Sequence, residues 1–241
     1  MKEHGKTALF GIYAGMAIGF GGMLNIIANT YISSPAIIGK LLGSLLFPIG
    51  LTMVCFFSFN LFTGKIGYVF DNDKKYLIFL LFVYIGNILG SLLMGGFCRV
   101  VFPETAMQET VNAIALKRLW NFNLEFLPIM KTFAGSVLCG VLVYLAILSF
   151  KEFKKIYLKI IGIFLSIGLF VFLGFDHCIA NMYYFAFAWT YGSGVTYLAL
   201  ALVTLGNSLG AIAFNEGIKA FKKLFLKNKQ NEQKEEPKES V

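Results

Sequence analysis

The chain has 241 residues, of which 57% are apolar and only 14% charged, and its mean hydropathy is +0.72. That balance excludes an ordinary water-soluble globular domain, in which about a quarter of the residues are charged. The net charge of +8 would suit a nucleic-acid ligand, but the basic residues border apolar stretches, the pattern that orients a chain in a membrane.

A helix that crosses a bilayer needs about 20 apolar residues. By that measure the sequence predicts six spans, at 7–32, 41–70, 76–102, 129–150, 156–189 and 195–220. The first lacks the short apolar core and small-residue cleavage site of a removable signal, so it is read as a retained span. Its Gly11, Gly15 and Gly19 recur every four residues on one face, where they let a neighbouring helix approach closely. The second stretch, 30 residues long, is interrupted by Asn60-Leu61-Phe62-Thr63-Gly64-Lys65, and Gly64 permits backbone angles that a continuous helix does not use.

The third span carries Gly86-Asn87-Ile88-Leu89-Gly90. The fifth stretch, 34 residues long, holds Gly174-Phe175-Asp176-His177-Cys178-Ile179-Ala180-Asn181-Met182 in its middle. Ionisable groups at that depth are costly unless they face protein or a watery cavity, so they mark a pathway, with His177 its foremost candidate. The sixth span repeats the glycine-asparagine motif as Gly206-Asn207-Ser208-Leu209-Gly210, 120 residues after its first appearance.

Halves with an odd number of spans insert upside down relative to each other, the architecture of inverted-repeat channels. Two overlong spans at matching positions, each broken by a polar patch, point to one shared pore near the bilayer midplane. Asn87 and Asn207 either hold the broken segments or lock helix pairs. The expected organisation is one transmembrane channel domain over 1–220, with repeats at about 6–102 and 129–219, followed by a disordered cytoplasmic tail over 221–241.

With both termini cytoplasmic, the inside carries sixteen lysines and arginines. The outside carries five, Lys40, Arg99, Lys117, Arg118 and Lys131. The cysteines, Cys55, Cys98, Cys139 and Cys178, stand singly in apolar stretches and give no metal spacing or disulfide framework; no cofactor is implied.

Lys40-Leu41-Leu42-Gly43 leading to Phe47 and Leu51, then Asn60 to Gly64, Gly174 to Met182, and Thr204-Leu205-Gly206-Asn207, resemble the formate/nitrite transporters in order and over nearly all of the chain up to Lys219. That family also includes hydrosulfide channels. The resemblance implies an all-α, aquaporin-like bundle of six spans with the second and fifth broken. It also implies a homopentamer with one pore per protomer in a bacterial inner membrane. It makes Phe47 and Phe170 an outer constriction and Leu51, Leu61 and Phe62 an inner one, with Thr63 on a mobile loop beside His177. Asp176, Asn181 and Asn207 accompany the path, and Lys117 is the vestibule cation, with Lys131 as its alternative. Independently of any family, the 123 residues between Phe47 and Phe170 nearly match the 120-residue repeat and make these two symmetry mates. Two positions depart from the family's pattern: Asp176 replaces a glutamate, and Gly140 replaces a pore-side asparagine, so a polar partner of the histidine is missing or replaced.

The expected function is passage of a small monovalent weak-acid anion, formate, nitrite or hydrosulfide, with a proton supplied at His177. The loop at Thr63-Gly64 leans toward the nitrite-like branch. The alternative is an aquaporin-like channel for neutral solutes, although none of the five prolines, Pro35, Pro48, Pro103, Pro128 and Pro237, lies in an Asn-Pro-Ala box. An enzyme pairing Asp176 with His177 lacks a second catalytic constellation.

Overall fold

The computed structural model describes residues 2–32, 34–103, 106–120 and 125–235. They form ten α-helices: α1 (Lys2–Tyr31), α2 (Ala36–Leu46), α3 (Pro48–Phe56), α4 (Phe62–Lys65), α5 (Lys75–Val101), α6 (Ala106–Trp120), α7 (Phe126–Glu152), α8 (Ile156–Leu173), α9 (Cys178–Ala188) and α10 (Gly194–Glu235). A 3-10 turn, Ile66–Asp71, follows α4 directly. Six of these stretches are long and apolar enough to cross a membrane: α1, Ala36–Phe56, α5, α7, α8 and the part of α10 up to Leu226. At 1.5 Å of rise per residue the 27 residues of α5 reach about 40 Å, enough for a bilayer core of about 30 Å.

The second and fifth predicted spans are each divided. In the second, Pro48 opens α3 where a missing amide hydrogen costs least, and the chain passes through a helical Phe47 without a gap. The gap comes after Phe56, where Ser58 takes a left-handed backbone (φ 55°), and the helix resumes at Phe62. Gly64 therefore lies inside α4, and its permissive backbone is not what breaks the helix. It serves close approach instead, since a Cβ there would stand 3.2 Å from the Ile147 side chain. In the fifth span α8 stops at Gly174, whose φ of 77° suits a residue without a side chain, and α9 starts at Cys178.

Small residues set the packing. α1 lies along α5, and α7 lies along α10. A Cβ on Gly15 would strike the Asn87 carbonyl, and a Cβ on Gly140 would strike the Asn207 carbonyl, so these backbones touch. α8 packs on α7 and α2, while α9 fits between α5 and α6. Leu81, Leu89 and Phe97 on α5 and Leu165 and Leu169 on α8 face outward, apolar surface that suits a lipid solvent.

Two findings depart from the sequence-based expectation. α6 was not foreseen; it buries Met107, Val111 and Ala115, four residues apart, against the bundle. α10 runs through Glu235, into the stretch from 221 expected to be a disordered tail; residues 236–241 lie outside those described.

Candidate functional site

Both gaps are held by the paired asparagines. The Asn87 side chain accepts from the Phe62 amide (2.8 Å) and donates to the carbonyls of Asn60 (2.8 Å) and Gly11 (2.9 Å). Asn207 accepts from the Cys178 amide (2.9 Å) and donates to the carbonyls of Asp176 (2.9 Å) and Ser136 (2.8 Å). Each amide thus replaces the helical partners missing at a gap and ties that gap to the first helix of its own half, so both readings of these residues apply at once. Neither asparagine lines the two cavities described below.

The gaps bring Thr63 and His177 together. Thr63 Oγ1 and His177 Nε2 are 2.8 Å apart, and both residues are buried. His177 also caps α9, its Nδ1 accepting from the Ala180 amide at 3.3 Å. An accepting Nδ1 carries no hydrogen, so in the neutral ring the hydrogen sits on Nε2 and is donated to Thr63. The imidazole stacks on Phe170, with ring centroids 5.8 Å apart.

Phe170 in turn meets Phe47 edge-on at 5.9 Å, so these two residues close around one point next to His177. On one side a cavity of about 10 Å³, room for roughly one water molecule, is lined by Leu51, Leu61, Ile18, Val143 and Ile167 together with Phe47, Phe170 and His177. His177 is the single polar residue in that lining. Phe62, expected beside Leu61, instead sets its ring against Tyr84 (4.8 Å) and lines neither cavity.

On the other side of the phenylalanines a vestibule of about 510 Å³ opens among α1, α2, α6, α8 and α9. Lys40, Lys117 and Arg118 line it. Lys131 is absent from that lining, and Lys117 is exposed within it. The more embedded cation is Arg118, which sequence reasoning counted only as a topological charge. Its Nη1 forms an ion pair with Asp176 and donates to Asn181 Oδ1 at 2.7 Å, while Asn181 Nδ2 donates to Asp176 at 3.0 Å. The guanidinium lies over the Tyr184 ring (4.9 Å), and its buried Nε has no protein partner. Asp176 and Asn181 therefore act as supports of a cation, and α6 is the element that delivers it. The signal that could have found it is Asp176 itself, since a buried acid needs a positive partner.

A vestibule with three cationic residues and a small apolar chamber meet at the Phe47 and Phe170 rings and at the buried His177 imidazole, which line both, with the Thr63 hydroxyl bonded to that imidazole. Comparison with known proteins agrees with that shape. The family model for formate/nitrite transporters matches residues 2–221. A probable formate transporter of Methanothermobacter thermautotrophicus is 29% identical over 236 residues, covering 87% of this chain and 86% of its own. The formate channel FocB of Escherichia coli is 30% identical over 183 residues, covering 72% of this chain and 62% of its own. Among solved structures, a pentameric formate channel with formate bound superposes with a TM-score of 0.77 at 25% identity, covering 92% of this chain and 98% of that one. An ion channel of the same family, 24% identical, shares the fold with a TM-score of 0.72 over 90% of this chain and 87% of its own. The chain belongs to the formate/nitrite transporter family and is an integral membrane protein of the transport class.

Proposed function

We propose that the protein is a channel for small monovalent anions of weak acids, formate, nitrite or hydrosulfide, and that a proton is exchanged with the anion at His177. The observation that carries this reading is the 2.8 Å contact between Thr63 and His177, beside the Phe47 and Phe170 rings where the vestibule meets the small chamber. Lys40, Lys117 and Arg118 raise the anion concentration in the vestibule. The chamber beyond has room for about one water and apolar walls, so a bare charge is strongly disfavoured there. An anion that reaches His177 receives a proton drawn from vestibule water and relayed by the neutral imidazole, crosses the Leu51 and Leu61 side as the neutral acid, and releases the proton beyond. Thr63 holds the ring in line during the exchange.

The same reading includes an aquaporin-like inverted repeat, in which α1, α2 with α3, α4 and α5 correspond to α7, α8, α9 and α10. The matching roles of Asn87 and Asn207 support it. It also includes a homopentamer with one pore per protomer, like the pentameric formate channel to which the chain is similar. Both termini face the cytoplasm of a bacterial inner membrane, an orientation supported by sixteen cationic residues inside against five outside.

Anion flux into proteoliposomes, compared for formate, nitrite and hydrosulfide at pH 5.5 and 7.5, tests the reading. Flux that rises at the lower pH, with that dependence lost in His177→Phe, is expected; an unchanged pH profile in the variant would remove the proton exchange. Absence of flux for all three anions, from an intact oligomer that passes water or glycerol, would favour the neutral-solute channel.

A further inference from the structure

Another buried asparagine, outside the duplicated motif, grips the segment that carries Thr63. Asn215 on α10 is 4% exposed and uses its whole amide. Its Nδ2 donates to the Gly67 carbonyl at 2.8 Å and to Asp71 Oδ2 at 2.9 Å, and its Oδ1 accepts from the Tyr144 hydroxyl at 2.6 Å. Gly67 follows Thr63 by four residues, within the unbroken run of α4 and the 3-10 turn. It is also wedged sideways, since a Cβ on it would lie 2.9 Å from the Tyr144 ring and 3.2 Å from the Ala211 carbonyl.

Upstream of Thr63, Asn87 fixes the Asn60 carbonyl and the Phe62 amide. Downstream, the Tyr76 hydroxyl donates to the Lys65 carbonyl at 3.1 Å, and Asn215 holds Gly67 two residues further on and Asp71 beyond it. A short helix of four residues has little stability of its own, so its place is set by what clamps its ends. We propose that Asn215 is a positioning residue for the pore: by holding Gly67 and Asp71 it sets where Thr63 stands against His177, and so sets the rate and pH response of transport. This inference rests on the role given to Thr63 and His177 under Proposed function. Lys219, which pairs with Asp71 and Glu216 at the exposed rim, adds an outer tie to the same segment.

The test is formate flux against pH in proteoliposomes for the protein and five variants, Thr63→Val, Asn215→Leu, Asn215→Asp, the double Thr63→Val/Asn215→Leu and Tyr144→Phe. Each must first elute as the same oligomer as the unmodified protein. Asn215→Leu keeps the volume but removes the amide, and Asn215→Asp removes the donors to Gly67 and Asp71 while keeping the acceptor for Tyr144. Both are expected to lower flux by about tenfold, the factor set by 1.4 kcal/mol, and to displace the pH profile in the same direction as Thr63→Val. The double variant is expected to be no worse than Thr63→Val alone, because residues acting through one another do not add. Tyr144→Phe leaves both grips on the segment in place and should stay close to the unmodified flux.

Should Asn215→Leu fail to assemble, the near-isosteric Asn215→Asp decides the matter on the same readout. A pH profile unmoved in the assembled Asn215 variants, or losses that multiply in the double, would overturn the inference. If Thr63→Val itself changes neither rate nor profile, the fault lies with the pore reading and not with Asn215.

Discussion

At the first gap Asn87 reaches from α5 to Asn60, Phe62 and Gly11; at the second Asn207 reaches from α10 to Asp176, Cys178 and Ser136. The supports match bond for bond, yet what they present differs. The first gap offers a hydroxyl, Thr63, and is held on its far side by Asn215. The second offers an imidazole, His177, beside an ion pair whose cation arrives from α6. The matched asparagine supports thus account for how each opening is held, whereas the chemistry at each comes from side chains that the two openings do not share. Backbone groups left bare in a membrane must find partners, and one asparagine with two donors and an acceptor meets that need at either site.

The sharpest challenge to this parallel is at the helix contacts. Gly15→Leu and Gly140→Leu each drive a side chain into the carbonyl of the supporting asparagine, so neither variant should yield assembled protein in size-exclusion chromatography of detergent extracts. Tolerance of one and not the other would show the two supports to be unequal. A milder test removes the amides: Asn87→Leu and Asn207→Leu should each cost on the order of 3 kcal/mol, from three stranded backbone groups, read as thermal unfolding of the purified oligomer. The two losses should agree within about 1 kcal/mol, and a larger gap would break the comparison.

Arg118→Met acts on the second gap alone. It leaves the Asp176 carboxylate buried without its cation, for a cost of about 2 kcal/mol, less than for a fully enclosed pair because the arginine is 19% exposed. Asp176→Asn in the same chain should restore most of that stability, and failure to do so would mean that the arginine serves chiefly by packing on Tyr184. Smallest of all, Lys219→Gln should change stability by less than about 1 kcal/mol, since its pair with Asp71 lies at an exposed rim.

Much of this fold was legible in the sequence because a bilayer imposes length and polarity rules that leave strong marks. The spans, the twin motif and the polar interruptions all follow from them. The sequence pairs Thr63 with His177 and Phe47 with Phe170, and the structure sets each pair in contact, with Phe170 also stacked on His177. Phe62 lines neither cavity although Leu61 lines one, because Leu61 is the extended residue before α4 and the Phe62 ring packs on Tyr84. α6 escaped notice because Met107, Val111 and Ala115 form a stripe among Gln108, Glu109, Lys117 and Arg118, too polar and too short to read as a span. Arg118 lies 58 residues from Asp176 and Asn215 lies 148 from Gly67, and no local pattern announces pairings across such distances.

The chamber beyond Phe47 and Phe170, with its space of about 10 Å³, has an electrical consequence. An ion's hydration shell does not fit there, and an acid that crosses it with its own proton moves no net charge through the membrane field. On the proposed mechanism transport is therefore electroneutral: indifferent to voltage, driven by the product of the anion and proton gradients, and silent in a patch-clamp recording even while isotope accumulates.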